Sequence, residues 1–217
     1  EETNVHAILV LDVSSSVLGP RLEALKTAAR SLLEALSGQD RATVLAFSHA
    51  VRGVGPTAAV PASLQPLIGG LQADGATALH DALYAGLLLA DPRHGRPLLV
   101  LFSDGLDKVS WLSHEQVLAA SRRSEAVVHA VLVGRDEGAG AQPNWYFTPP
   151  GYAQWRGGTQ VRWERSDARS PLEALTAETG GQVWAAADEA LKNGFLAALA
   201  EFRQRYLIEF EPGSKRA

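Results

Sequence analysis

Apolar residues fall into two kinds of segment that alternate along this chain. One kind is short and continuous. Residues 5–11, 41–47, 97–103 and 127–133 each hold a run of Val, Leu, Ile, Ala or Phe with little polar interruption. Such runs predict β-strands covered on both faces, because a strand with one wet face would alternate polar and apolar positions. The other kind is longer and periodic. After Pro20, a residue suited to a helix's first turn, Leu22, Leu25, Ala29, Leu32, Leu33 and Leu36 recur at helical spacing. That face predicts a helix closed by Ser37-Gly38. Residues 78–90 predict a second, strongly apolar helix, stopped by Asp91-Pro92. Ser113 with Gln116 makes a capping box that opens a third, running to about residue 124. Helices at 171–179 and 188–204, with short strands at 182–185 and 206–210, continue the alternation. Residues 50–54 read as a weaker edge strand after the Ser48-His49 turn, and 64–68 as a short helix in a stretch broken by prolines.

Strands alternating with helices predict an α/β fold: a doubly wound, mostly parallel central sheet flanked by helices, with one short antiparallel edge strand. No repeat, low-complexity tract or second boundary interrupts it, so residues 1–217 read as one domain. Residues 135–170 depart from the rhythm. They are rich in Gly, Pro and aromatics, and too long for an ordinary connection. They read as an insertion, with a β-hairpin of residues 146–152 against 160–163 as one arrangement.

Composition narrows the classes. With 46% hydrophobic and 20% charged residues the chain can build a packed core. No apolar run approaches the ~20 residues that span a bilayer. A net charge of −4 and a pI near 5.9 lack the basic footprint of a nucleic-acid binder. The absence of cysteine removes disulfides, thiolate metal sites and a cysteine nucleophile. The chain has no methionine and opens on Glu1, as expected of a processed or excised piece, and its ending soon after Phe210 implies a polypeptide that continues.

The chemistry sits where strands end. The first strand runs into Asp12, Ser14 and Ser16, and the 97–103 strand runs into Asp104-Gly105. Between them a glycine-rich loop, Gly69-Gly70 to Gly75-Ala76-Thr77, precedes the apolar helix. Open α/β sheets collect ligands at the carboxyl ends of their strands. Two carboxylates and three hydroxyls suit one octahedral hard cation such as Mg²⁺, with water completing the shell. The competing assignment is local: Asp12 caps a turn, and the serines cap the following helix.

Asp12-Val13-Ser14-Ser15-Ser16, Gly75-Ala76-Thr77 and Ser103-Asp104-Gly105 together resemble the metal-ion-dependent adhesion site of von Willebrand factor type A domains. That family's pattern is Asp-x-Ser-x-Ser, then a Thr in a glycine-rich loop, then an Asp after a buried strand. The resemblance spans roughly residues 5–210. Residues 75–83 and 205–212 further resemble bacterial type A domains of the exported kind, which implies a periplasmic, surface or secreted protein. The resemblance implies that Ser14, Ser16 and Thr77 are direct or near-direct ligands of Mg²⁺, with Mn²⁺ or Ca²⁺ as substitutes. It implies that Asp12 and Asp104 hold the ion directly or through water, and that one position stays open to an Asp or Glu of a protein partner. The expected function is therefore metal-dependent protein binding, in adhesion or assembly, and not catalysis.

Two other functions compete. One is a structural or assembly module whose metal site is vestigial or only stabilising, and which binds through the aromatic insertion. The other is a Mg²⁺-dependent phosphohydrolase. Against the enzyme, Ser14 stands where an aspartyl phosphatase needs its second acid, and no P-loop, Gly-x-Ser-x-Gly elbow or dinucleotide fingerprint occurs. Trp111, close after Asp104, is a candidate partner contact, as are Trp145, Tyr146 and Trp155 of the insertion. The six histidines read as scattered; His80 reads as a helix-face or core residue with a backbone partner. Asp74 and Asp107 read as solvated turn acids.

Overall fold

The computed structural model describes residues 4–55, 57–58, 61–133, 169–186 and 191–205. The strand expected at 206–210 and most of the aromatic insertion, with Trp145, Tyr146 and Trp155, lie outside the described residues. Within them the chain forms β1 (Val5–Asp12), α1 (Pro20–Ala35), β2 (Arg41–Phe47), β3 (Val51–Val54), α2 (Gln65–Gly69), α3 (Leu79–Leu88), β4 (Arg96–Ser103), α4 (His114–Ser121), β5 (Val127–Val133), α5 (Arg169–Glu178), β6 (Val183–Ala186) and α6 (Leu191–Arg203).

The sheet order is β3-β2-β1-β4-β5-β6. All pairings are parallel except β2 with β3, where Leu45 faces Val54 and Phe47 faces Val51 across a bulge. The expected doubly wound sheet and its antiparallel edge strand are thus both present. From β1 the chain winds outward to β2; from β4 it winds the other way to β5. The strand order reverses between β1 and β4, which opens a crevice at their carboxyl ends.

β1 explains why the sheet's strands read as unbroken apolar runs. Ala7, Leu9 and Leu11 pack into one core with α1 and α6, while Ile8 and Val10 pack into the opposite core with α3. Both cores are fully closed over β1, so neither parity of the strand has a wet face. α3 lies very close to the sheet at Gly86, where a Cβ would come within 2.8 Å of Leu99 Cδ1 and 2.9 Å of Val10 Cγ2.

Element ends differ from the sequence reading by one to three residues, for local reasons. α3 stops at Leu88 rather than residue 90, because Asp91 precedes Pro92 and is extended (φ −99°, ψ 114°). α4 stops at Ser121 rather than near 124. There the bonds tighten to Arg123 N–H on Ala120 O (3.0 Å) and Ser124 N–H on Ser121 O (3.0 Å). The capping box of Ser113 and Gln116 forms as the sequence implied.

Asp40 closes the other end of the sheet. Its buried carboxylate accepts from Val5 N–H (2.8 Å) and Ser37 N–H (2.7 Å) and pairs with Arg203 at 2.6 Å. One side chain thus joins the start of β1, the turn after α1 and the end of α6. Burial raises its pKa, but these hydrogen bonds together outweigh burial and leave the carboxyl below its ordinary value of 3.8. A depressed acid stabilises the fold above its unfolded pKa, and that stability is lost as pH falls through the folded pKa. Asp40→Asn is therefore expected to cost about 2–3 kcal/mol at pH 7. In urea unfolding the gap between parent and variant should narrow from pH 7 to pH 3; a constant gap would contradict the assignment.

Candidate metal centre

The five residues singled out by the sequence stand at or just beyond the carboxyl ends of β1 and β4 or in the adjoining glycine-rich loop. Asp12 is the last residue of β1 and is buried. Its Oδ1 accepts from Ser14 N–H at 2.8 Å, and its Oδ2 accepts from Ser103 Oγ–H at 2.7 Å, across from β1 to β4. Ser14 Oγ and Ser16 Oγ share a hydrogen bond of 2.9 Å on the first loop. That loop is stitched to the glycine-rich loop by Ser15 N–H on Gly75 O (2.9 Å) and Asp74 N–H on Val13 O (2.8 Å). Thr77 is held on both sides. Ala78 N–H reaches Ser48 O (2.7 Å), and Thr77 O accepts from Lys108 N–H (2.9 Å) and Val109 N–H (3.2 Å). Asp104 follows β4, and its Oδ1 accepts from Leu106 N–H at 3.2 Å.

Two atoms stand out. Thr77 Oγ1 and Asp104 Oδ2 are buried and have no hydrogen-bond partner among the described residues. A buried polar oxygen left unpaired is costly and rare. A hydroxyl and a carboxylate oxygen, both buried and without a partner among the described residues, fit a cation as the missing partner. Asp12 tells the same story in electrostatic terms. Burial pushes its pKa up, the bonds from Ser103 and Ser14 oppose this, and the charge of Asp104 raises it further. Two carboxylates that repel one another at a buried crevice are the complement of positive charge. Among the described residues no three His, Asp or Glu side chains converge on one point, so a donor set here would rest on hydroxyls and one or two carboxylates.

Residues 7–106 match the family model described as the von Willebrand factor type A domain. The fold is that of a type A domain. Solved structures agree across the chain's length. A von Willebrand factor type A protein from Catenulispora acidiphila superposes with a TM-score of 0.66 at 18% identity; the match covers 91% of this chain and 42% of that one. An aerotolerance-related membrane protein from Bacteroides fragilis gives 0.63 at 16% identity, covering 91% of this chain and 99% of that one. Proximal thread matrix protein 1 from the mussel byssus, solved with a zinc-occupied MIDAS motif, gives 0.59 at 16% identity, covering 90% and 46%. The search of curated proteins returned no match.

Other polar residues around the crevice behave differently from the sequence reading. Asp107, expected to be a solvated turn acid, is half-buried and caps α3 from another loop. Its Oδ1 accepts from Leu79 N–H (2.8 Å), His80 N–H (3.3 Å) and Ser110 Oγ–H (2.5 Å). α3 answers with Asp81, which accepts from Trp111 N–H (3.1 Å) and Leu112 N–H (2.9 Å). Sequence spacing could not show this exchange, since its partners lie about 30 residues apart. Asp74 does face solvent, paired to Arg52 at 3.2 Å. His80 has the backbone partner expected of it, Leu112 O at 3.2 Å from Nδ1. The histidines are not simply scattered. His6 and His94 meet edge to face at 5.5 Å, and His80 and His114 lie 6.1 Å apart.

Gly75 sits between the two stitches with φ +80°, and a Cβ there would run into the His49 imidazole. Gly75→Ala should cost about 2 kcal/mol or more in denaturant unfolding, from positive φ and from the clash. Removing His49 as well should recover part of that loss. An unchanged midpoint for Gly75→Ala would show that the loop is not held as described.

Proposed function

We propose that Asp12, Ser14, Ser16, Thr77 and Asp104 hold a Mg²⁺ ion, replaceable by Mn²⁺ or Ca²⁺, and that the centre binds an Asp or Glu carboxylate of a partner protein. The observation that carries this reading is a pair of buried oxygens without a partner among the described residues, Thr77 Oγ1 and Asp104 Oδ2, on loops next to the one where Ser14 Oγ and Ser16 Oγ bond each other. A bound divalent ion would supply a Lewis-acidic point for an external carboxylate, strengthened because hydroxyl ligands neutralise little of its charge. The protein's own residues set the frame. Ser103 Oγ–H and Ser14 N–H fix the Asp12 carboxylate, the Ser15–Gly75 bond fixes the serine loop, and Lys108 and Val109 N–H fix Thr77. Capture of a carboxylate requires no bond to break, so the centre works as a binding module. The match of residues 7–106 to the type A family supports an interaction role. The zinc-occupied MIDAS motif of the mussel byssus protein supports a metal in this fold's crevice. We place the protein among exported bacterial proteins, in keeping with its resemblance to that subgroup.

Thermal unfolding in EDTA and in excess Mg²⁺ tests the centre. An ion at ~100 times its Kd adds about 2.7 kcal/mol. For a domain of this size that is roughly 5–11 °C in Tm. The shift should vanish in Asp12→Ala and Asp104→Ala; a shift that survives both would refute the assignment.

Thr77→Ala separates a ligand from a structural residue. Its hydroxyl has no partner among the described residues, so in EDTA the substitution should change stability by less than about 1 kcal/mol. In Mg²⁺ most of the stabilisation should be missing. Equal destabilisation in both buffers would mark Thr77 as structural only.

A further inference from the structure

Two buried histidine nitrogens lie at the opposite end of the sheet from the crevice. His6 stands near the start of β1, and His94 ends a single 3-10 turn, Pro92–His94, that leads into β4. His6 precedes Asp12 on the same strand by a span of about 20 Å. The two imidazoles meet edge to face with centroids 5.5 Å apart. The Nδ1 atoms of both are buried and have no hydrogen-bond partner among the described residues. His6 as a whole is completely buried, and His94 is half-buried. A buried ring nitrogen left unpaired is as unusual as an unpaired oxygen, and here two occur side by side. His80 and His129 differ. His80 Nδ1 bonds Leu112 O at 3.2 Å; His129 Nδ1 accepts from Gln182 N–H at 3.0 Å, and its Nε2 faces the Glu201 carboxylate at 3.0 Å.

The fold fixes the pair. β1 and β4 run in register there, with Val5 beside Arg96 and His6 beside Pro97. Arg96 N–H donates to Asn4 O at 2.7 Å, and the turn is closed by His94 N–H on Asp91 O and Gly95 N–H on Pro92 O, 3.1 Å each. His6 Nε2 lies 3.0 Å from Thr43 Oγ1, which in turn lies 3.0 Å from Thr57 Oγ1. With Nε2–H donated to Thr43, and the Thr43 proton donated to Thr57, His6 Nδ1 carries a free lone pair. Histidines that bind metal are oriented in this way, through the nitrogen that does not touch the ion. Burial first, and then the neighbouring His94, push the His6 pKa down to about 4 against an opposing pull from Asp91, so the ring is neutral at pH 7.

We infer that His6 and His94 form a second metal site, separate from the crevice, for a transition ion of the Zn²⁺ class. Imidazole nitrogen suits Zn²⁺, Cu²⁺ and Ni²⁺, whereas Mg²⁺ takes oxygen. Two imidazoles sharing an ion at about 2.0–2.1 Å from each nitrogen have centroids about 5–6 Å apart, which is the spacing found here. The charge of Asp91 acts on both rings, while its partner Arg93 is 87% exposed. Two protein nitrogens leave the rest of the shell to water, and the half-buried His94 gives the ion its way in. A bound ion ties the start of β1 to the turn before β4.

Zn²⁺ is the probe, added to protein labelled with ¹⁵N-histidine in excess Mg²⁺ and followed by NMR of the imidazole nitrogens. The His6 and His94 signals report on this site whether or not the crevice binds Mg²⁺, because neither residue belongs to it. Without Zn²⁺, His6 Nδ1 should carry no proton. With Zn²⁺, the Nδ1 signals of His6 and His94 should move together along one binding curve. His94→Gln, a change in a surface turn, should weaken that binding about tenfold or more. A proton on His6 Nδ1, directed at the Asp91 carbonyl, overturns the inference. So does Zn²⁺ that moves only other histidines, that binds His6 as tightly in His94→Gln as in the parent, or that fails to bind at millimolar concentration.

Discussion

The Asp12 carboxylate is the constraint from which the crevice is built. It lies at the end of the most buried strand, beside a second carboxylate, and both its oxygens are used: one on Ser14 N–H, the other on Ser103 Oγ. Those two bonds tie the first loop to its own strand and tie β1 to β4, the pair between which the sheet reverses direction. A charge placed so deeply has to be compensated. Among the described residues dipoles but no cation reach it, and burial, with the charge of Asp104, raises its pKa. The unpaired oxygens of Thr77 and Asp104 extend the same deficit to neighbouring loops. A divalent ion would resolve all three at once, which is why we read these residues together rather than as separate caps.

Rigidity around the crevice comes from exchange between loops rather than from any one loop. The serine loop and the glycine-rich loop trade backbone bonds through Ser15, Gly75, Asp74 and Val13. The glycine-rich loop passes into α3, whose amino end is capped by Asp107 and Ser110 from the loop after β4, while α3 returns Asp81 to Trp111 and Leu112. Thr77 and Asp104 are thereby fixed relative to each other through one helix terminus. Such reciprocal capping satisfies orphan N–H groups that a helix start would otherwise leave to water. It also gives the exposed indole of Trp111 a fixed base.

Much of this was legible in the sequence. Runs such as 98–102, apolar at every position, announce strands covered on both sides, and Asp12, Ser14, Ser16, Thr77 and Asp104 stand at strand ends or in the glycine-rich loop where such a sheet gathers chemistry. The edge strand and the Ser113 capping box also followed from local signals, whereas the exposure of Trp111 did not: its place in the chain fits a packed ring as well as an exposed one. What the sequence concealed were partnerships of high separation. Asp107 looked like a turn acid because its helix partners lie 28 and 27 residues upstream. Asp40 looked unremarkable because its partners come from β1 and α6 at opposite ends of the chain. The paired histidines were likewise invisible, since ring contacts such as His6 with His94 are made by the fold and not by spacing.

The centre itself is tested most directly by diffraction from crystals grown with Mn²⁺, using the ion's anomalous signal to locate it. The account predicts one strong peak in the crevice, bounded by the hydroxyls of Ser14, Ser16 and Thr77 with Asp12 and Asp104 beside it, and no peak there in crystals of Thr77→Ala. A crevice without anomalous density at saturating Mn²⁺, or a peak held by other residues, would contradict it.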